Sequence, residues 1–224
     1  MNIFIFASIN EADYVLKKAV ILEKISNEPF KMLKATVENK SIGIVISLIG
    51  KVHAGASLAA AINYFGPNNN FINVGTSGSL DAKQANVFDI IIASKLVQHD
   101  VDTTALGDPL GMVSGPNKVF FNTSNELNKA IEKGCHDCHL NPIYGIVSSG
   151  DKFITNEEEK QNIRKTFNSL VVEMEAAALA EIADAYKVNF SCFKIITDAV
   201  EHAKEYKENF DKAVRILADI VWTI

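Results

Sequence analysis

Short apolar runs separated by amphipathic stretches recur along the whole chain, and no other feature constrains its fold as strongly. An apolar run of roughly four to eight residues suits a buried strand, and apolar residues spaced three and four apart suit a helix that covers it. Strands are expected at 3–7, 71–74, 87–93, 143–147 and 190–196. Helices are expected at 11–25, 51–65, 125–133, 157–166, 174–186 and 209–224, the first with Leu16, Val20 and Ile21 on its buried side. The helix at 51–65 runs into Gly66-Pro67, a pair that stops helices. Residues 31–38 and 41–48 resemble a hairpin turning near Glu38-Asn39-Lys40, so the sheet should be mixed. Residues 94–122 contain Gly107, Pro109, Gly111, Gly115 and Pro116 and are expected to form a long turn-rich connection, of the kind that serves a site or an interface. With no internal repeat or low-complexity tract, residues 1–224 are expected to form one α/β domain.

Composition narrows the function. Among 224 residues, 48% are hydrophobic and the formal charge is −5. Arg164 and Arg215 are the only arginines, so a surface that tracks nucleic-acid phosphates is not expected and a small neutral ligand fits better. No apolar run reaches the roughly 18 residues of a membrane span. The opening Met1-Asn2-Ile3-Phe4-Ile5-Phe6-Ala7 lacks a basic region and soon meets Asn10, Glu11 and Asp13, so it reads as a buried strand and not a signal peptide. A cytoplasmic location is expected. Cys135-His136-Asp137-Cys138-His139 matches C-x-x-C-H, the attachment motif of c-type haem. Haem attachment belongs to exported proteins, and four ligands crowded into five residues cannot easily surround one tetrahedral zinc, so a polar surface connection is expected instead.

The acids carry the chemistry. Val172-Glu173-Met174-Glu175-Ala176 leads into a helix, and the run Phe193-Lys194-Ile195-Ile196 stops at Thr197-Asp198. Several acids gathered at one place suit a reaction with a cationic transition state. Polar or small residues also follow other strands, at Ser8 to Glu11, Ser47 to Lys51, Gly75 to Gly78 and Ser148 to Phe153. In doubly wound sheets, ligands gather at such carboxyl ends.

Six strings in order, Ser47-Leu48-Ile49-Gly50-Lys51-Val52, Asn73-Val74-Gly75-Thr76-Ser77-Gly78, Gln98-His99-Asp100-Val101-Asp102, Ser149-Gly150-Asp151-Lys152-Phe153-Ile154, Val172-Glu173-Met174-Glu175-Ala176 and Ile196-Thr197-Asp198-Ala199, resemble those of the 5′-methylthioadenosine/S-adenosylhomocysteine nucleosidases. The likeness runs from the first strand to the last helix. It implies a nucleoside phosphorylase-like, three-layer α/β/α sandwich with a central mixed sheet, a homodimer, and hydrolysis of an N-glycosidic bond that frees adenine. By this resemblance Asp198 protonates the purine at N7, Glu175 binds the ribose hydroxyls and Glu11 is the general base for water. Phe153 stacks on the base while the backbone of Ile154 reads its edge. Met174 lies against the sugar, Thr76 and Gly78 line the sugar and water side, and Glu173 and Thr197 complete the substrate-binding set.

Cleavage puts positive charge on the ribose and negative charge on the departing base, which demands a carboxylate at one and a proton donor at the other. Asp198 must then hold a proton near neutrality, so burial has to raise its pKa. No metal or redox cofactor is needed. Two positions depart from the resemblance: Ser8-Ile9-Asn10 precedes Glu11 where a methionine and a flanking acid are usual, and Leu106 stands where an aromatic often reaches the partner's 5′-substituent pocket. His53 and His99 read as structural hydrogen-bonders. A phosphate-dependent purine nucleoside phosphorylase and a futalosine-type nucleosidase are the alternatives; the first would need arginines or an amide nest for phosphate.

Overall fold

The structure, a computed structural model, describes residues 1–26, 28–37, 40–199 and 203–224. β1 (Asn2–Phe6) lies inside the sheet, with β4 (Lys40–Ile46) parallel to it on one side and β5 (Asn70–Ser79) parallel on the other. β3 (Lys31–Val37) pairs antiparallel with β4, and β2 (Val20–Ser26) pairs antiparallel with β3 at the edge. The expected hairpin is thus present, with Lys40 opening its second strand; Glu38 and Asn39 of its expected turn lie outside the described residues.

Beyond β5 the sheet closes on itself. β5 pairs parallel with β10 (Asn189–Asp198), which pairs antiparallel with β6 (Ile90–Gln98). β6 and β8 (Ile143–Ser149) are parallel, β8 and β9 (Ser169–Glu173) are parallel, and β9 returns antiparallel to the end of β5. A short β7 (Phe121–Asn122) adds to β6. Irregularities at Ile196/Asp198, Ala93/Lys95 and Ile146/Val147 supply the bends that closing such a ring demands.

Alternation along β1 decides the layers. Ile3 and Ile5 face one core, which contains Leu58, Ala61 and Ile62 of α2 (Lys51–Phe65) and Leu179 and Ala183 of α5 (Ala176–Tyr186). Phe4 and Phe6 face the other, with Val15 of α1 (Asp13–Lys18), Leu127 and Ile131 of α3 (Asn125–Asp137), and Leu217 and Val221 of α6 (Ala203–Thr223). Burying a Phe or Ile in either core contributes about 1.5–3 kcal/mol. A third, smaller core joins Ile163 and Phe167 of α4 (Glu157–Phe167) to Val97 and Val172. The α/β/α layering and the mixed sheet agree with the expectation. Among the described residues, no helix is long and apolar enough to cross a membrane.

Several local expectations need correction. The helix expected at 11–25 stops at Lys18; Ala19 is extended, and the branched Val20-Ile21-Leu22 builds the edge strand β2, where Val20 and Leu22 are exposed. Strand β5 runs five residues past Val74, and β6 begins at Ile90 and continues into the stretch expected to be loop. The helix expected from Met174 begins at Ala176, because residues 169–173 pair with β5 and β8 as β9. Cys135 to His139 is not a polar surface connection: Cys135 is fully buried in the last turns of α3 and Cys138 caps that helix.

Gly145 sits where β8 meets β9. A Cβ there would approach three atoms of Leu170 at 2.5–3.2 Å. Gly145→Val should therefore overpack the ring and lower stability by about 1–3 kcal/mol, read from the urea midpoint; an unchanged midpoint would show that the closure is loosely packed.

Candidate active site

The carboxyl ends of β1, β5, β8, β9 and β10 open onto one cleft of about 210 Å³. All ten residues expected to form a site, Glu11, Thr76, Gly78, Phe153, Ile154, Glu173, Met174, Glu175, Thr197 and Asp198, line it.

Glu11 lies before α1, in the turn after β1, and is 7% exposed. Its Oε2 accepts from the Ala7 and Ser8 amides at 3.0 and 3.3 Å, and its Oε1 accepts from the Thr76 amide and hydroxyl at 3.0 and 3.2 Å. The Ser8 hydroxyl, in the segment that departs from the resemblance, accepts from the Glu11 amide at 3.2 Å. Gly75 permits this approach, since a Cβ there would lie 2.8 Å from Glu11 Oε1 and 3.2 Å from Lys194 Nζ.

Lys194 was not expected in a site. It is 1% exposed, and its ammonium meets Glu173 Oε2 at 2.7 Å. Burial alone disfavours the ammonium, but the negative charge of Glu173, with Glu175 and Glu11 further off, outweighs it and keeps Lys194 protonated. A lysine inside the otherwise apolar run Phe193 to Ile196 was the available signal, because a strand buried on both faces admits a cation only beside a partner.

Glu173 is committed to holding other groups. Besides Lys194 it accepts from the Ser149 hydroxyl, from the Glu175 amide at 3.1 Å and from the Ala176 amide at 3.0 Å. It thereby covers the amino end of α5, where carboxylates are favoured. Glu175 is consequently aimed into the cleft, 6% exposed, with Oε1 accepting from the Gly50 amide at 2.9 Å. Burial, then the charge of Glu173, raises the pKa of Glu175, and Lys194 opposes them. Three buried acids, Glu11, Glu173 and Glu175, thus line the cleft beside one buried ammonium.

Asp198 ends β10 and is 4% exposed. The Thr197 hydroxyl lies 2.9 Å from its Oδ1 and 3.2 Å from the Ser77 carbonyl. Gly78 faces it closely: a Cβ there would stand 3.0 Å from Asp198 Oδ2. Burial pushes the Asp198 pKa up to about 6, the direction that proton delivery requires.

Tyr206 of α6 also lines the cleft and was missed, because the closing helix was expected to begin only at Asn209. Its ring meets Phe153 edge to face at 5.8 Å. Phe153 is 44% exposed, Met174 is half-buried, and the Ile154 side chain is buried in the third core. His53 and His99 do not line the cleft.

An acid whose folded pKa is raised contributes its full stability below its unfolded pKa and loses it as pH rises through the folded value. The Asp198 contribution should therefore disappear between about pH 4 and pH 6. Asp198→Asn should gain stability over the parent by up to roughly 3 kcal/mol at pH 7.5 relative to pH 3.5, read from paired urea midpoints. A difference independent of pH would refute the raised value.

A family model described as the phosphorylase superfamily matches residues 3–224. A 5′-methylthioadenosine/S-adenosylhomocysteine nucleosidase of Staphylococcus carnosus is 30% identical over 97% of this chain and 96% of its own length. An aminodeoxyfutalosine nucleosidase of Campylobacter jejuni is 33% identical over 80% of this chain and 76% of its own. The Neisseria meningitidis 5′-methylthioadenosine/S-adenosylhomocysteine nucleosidase, solved in complex with methylthio-immucillin-A, superposes with a TM-score of 0.92 at 26% identity, covering 99% of this chain and 96% of that one. Matched by that family model over residues 3–224 and by a nucleosidase 30% identical over 97% of its length, this chain belongs to the nucleosidases of the phosphorylase superfamily.

Proposed function

We propose that residues 1–224 act as one catalytic unit that hydrolyses the N-glycosidic bond of 5′-substituted adenosines and releases adenine. What supports this reading is the placement of Asp198, whose pKa burial pushes up to about 6, in the same cleft as Glu11 and Glu175. The oxygen of water attacks C1′ as the C1′–N9 bond breaks, and the electron pair of that bond passes into the purine. Asp198 gives its proton to N7, so the base departs neutral, while Glu11 takes a proton from the attacking water. Glu175 accepts hydrogen bonds from the ribose diol, and the carboxylate oxygens of the cleft stabilise the ribosyl cation. Phe153 packs against the base, Met174 against the sugar, and Thr76 holds Glu11 toward the water. Glu173 and Thr197 place Glu175 and Asp198.

Water is favoured over phosphate because neither arginine reaches the cleft: Arg164 pairs with Asp81 at 2.6 Å, and Arg215 pairs with Asp211 and Tyr14. The relatives named for methylthioadenosine and aminodeoxyfutalosine support the adenosine class and leave two 5′-substituents to compare. Adenine should be released from 5′-methylthioadenosine or aminodeoxyfutalosine at a rate independent of phosphate; strict phosphate dependence with ribose 1-phosphate as product would instead establish a phosphorylase. Glu11→Gln should lower kcat by about 10² to 10⁴ with little change in KM.

A cytoplasmic homodimer is part of the proposal. Cys135, Cys138 and Cys192 are all free thiols, which suits a reducing compartment. Leu48, Ile49 and Val52 are 42%, 59% and 79% exposed, and Ile49 lines the cleft, so a second copy covering this rim would remove apolar surface from water. Val52→Glu should halve the mass seen by light scattering; a parent that is already monomeric would refute the dimer.

A further inference from the structure

Lys160 of α4 is 4% exposed, and it does not line the cleft. Its ammonium donates to the Ala199 carbonyl at 2.6 Å. Glu157, the carboxylate it meets on its own helix, stands off at 4.0 Å with a side chain 67% exposed, so that pair does little to offset the burial. The Ala199 amide donates to Glu205 Oε2 of α6 at 2.7 Å. The residue directly after Asp198 is therefore gripped from two helices, by an anion at its N–H and a cation at its carbonyl. Such charge-assisted hydrogen bonds are about twice as strong as neutral ones.

Burying an ammonium costs several kcal/mol, and a neutral amide side chain could satisfy the same carbonyl without that cost. The charge itself then needs a use, and the next residue back supplies one. We infer that Lys160 is a positioning residue for the leaving-group acid: it anchors Ala199 so that Asp198 faces the purine, and its charge offsets the carboxylate left on Asp198 after proton transfer. This rests on Asp198 as the proton donor. The chemistry balances without another reactant, since the proton passes to N7, the bonding pair passes to the purine, and solvent later reprotonates Asp198.

Other groups face Asp198 as well. Among the described residues, burial raises its pKa, the Thr197 hydroxyl and the Lys160 charge lower it, and Glu205 raises it; Tyr206 of α6 senses the Asp198 charge in turn. Lys160 is thus a cation that works against burial and Glu205 together.

Adenine release from 5′-methylthioadenosine, followed as kcat against pH, tests this. Turnover needs protonated Asp198, so the rate falls as pH rises through the pKa of that acid. Lys160→Gln keeps an N–H for the Ala199 carbonyl and removes the charge; it should move the alkaline limb up by about one pH unit. Lys160→Met should move the limb similarly and lower the plateau rate about tenfold, and Lys160→Arg should restore the parental limb. If the Met variant does not fold, the Gln and Arg variants still decide. A limb at the parental pH in the folded neutral variants overturns the inference whatever happens to the rate. Asp198→Asn, run in parallel, separates the two ideas: full activity there removes the proposed acid, whereas an inactive Asp198→Asn beside an unmoved limb removes only the role of Lys160.

Discussion

The ion pair between Lys194 and Glu173 is the contact on which the cleft depends. Both groups are almost wholly removed from water, so each is tolerable only while the other is present. Glu173 also takes the first amides of α5, and this places Glu175. Lys194 stands on β10 four residues before Asp198. One buried contact therefore joins the strand that carries Asp198 to the helix start that carries Glu175, and the Lys194 charge acts on Glu11, Glu173 and Glu175 together.

The two ends of the cleft treat a carboxyl group in opposite ways. Glu11 receives amide and hydroxyl donors on both oxygens, an environment that satisfies the charged form. Asp198 is held where burial dominates, an environment that favours the proton. Two residues of the same chemical type thus stand in different surroundings within one cleft. The same polarity argues against phosphate, whose charge would enter a cleft already rich in carboxylates with both arginines engaged elsewhere.

Much of this was legible in the sequence, because the layers depend on apolar periodicity and the cleft residues follow strands. Where legibility failed, tertiary pairing had overridden local pattern. Val20 to Leu22 has helical spacing relative to Leu16, yet its branched side chains join an edge strand once β3 is available to pair with it. Residues 169–173 are too short to announce a strand before the alanine-rich helix, and only the partners β5 and β8 make them one. Lys194 and Lys160 share a related reason for staying hidden: each lies within an apolar pattern, between Phe193 and Ile195 or three residues before Ile163, and only the fold reveals the counter-charge or carbonyl that admits it. Tyr206 reaches the cleft because α6 starts earlier than its apolar pattern suggests.

Strand β5 touches both chemical groups, through Thr76 at Glu11 and through Gly78 at Asp198. These two positions lie two residues apart on one extended strand, a rise of about 6.6 Å that side-chain motion cannot alter. Because β5 is also hydrogen-bonded to β1, β9 and β10, it cannot stretch or slide without breaking several ladders together. It therefore works as a rigid gauge that fixes how far apart the Glu11 and Asp198 carboxyl groups stand across the cleft.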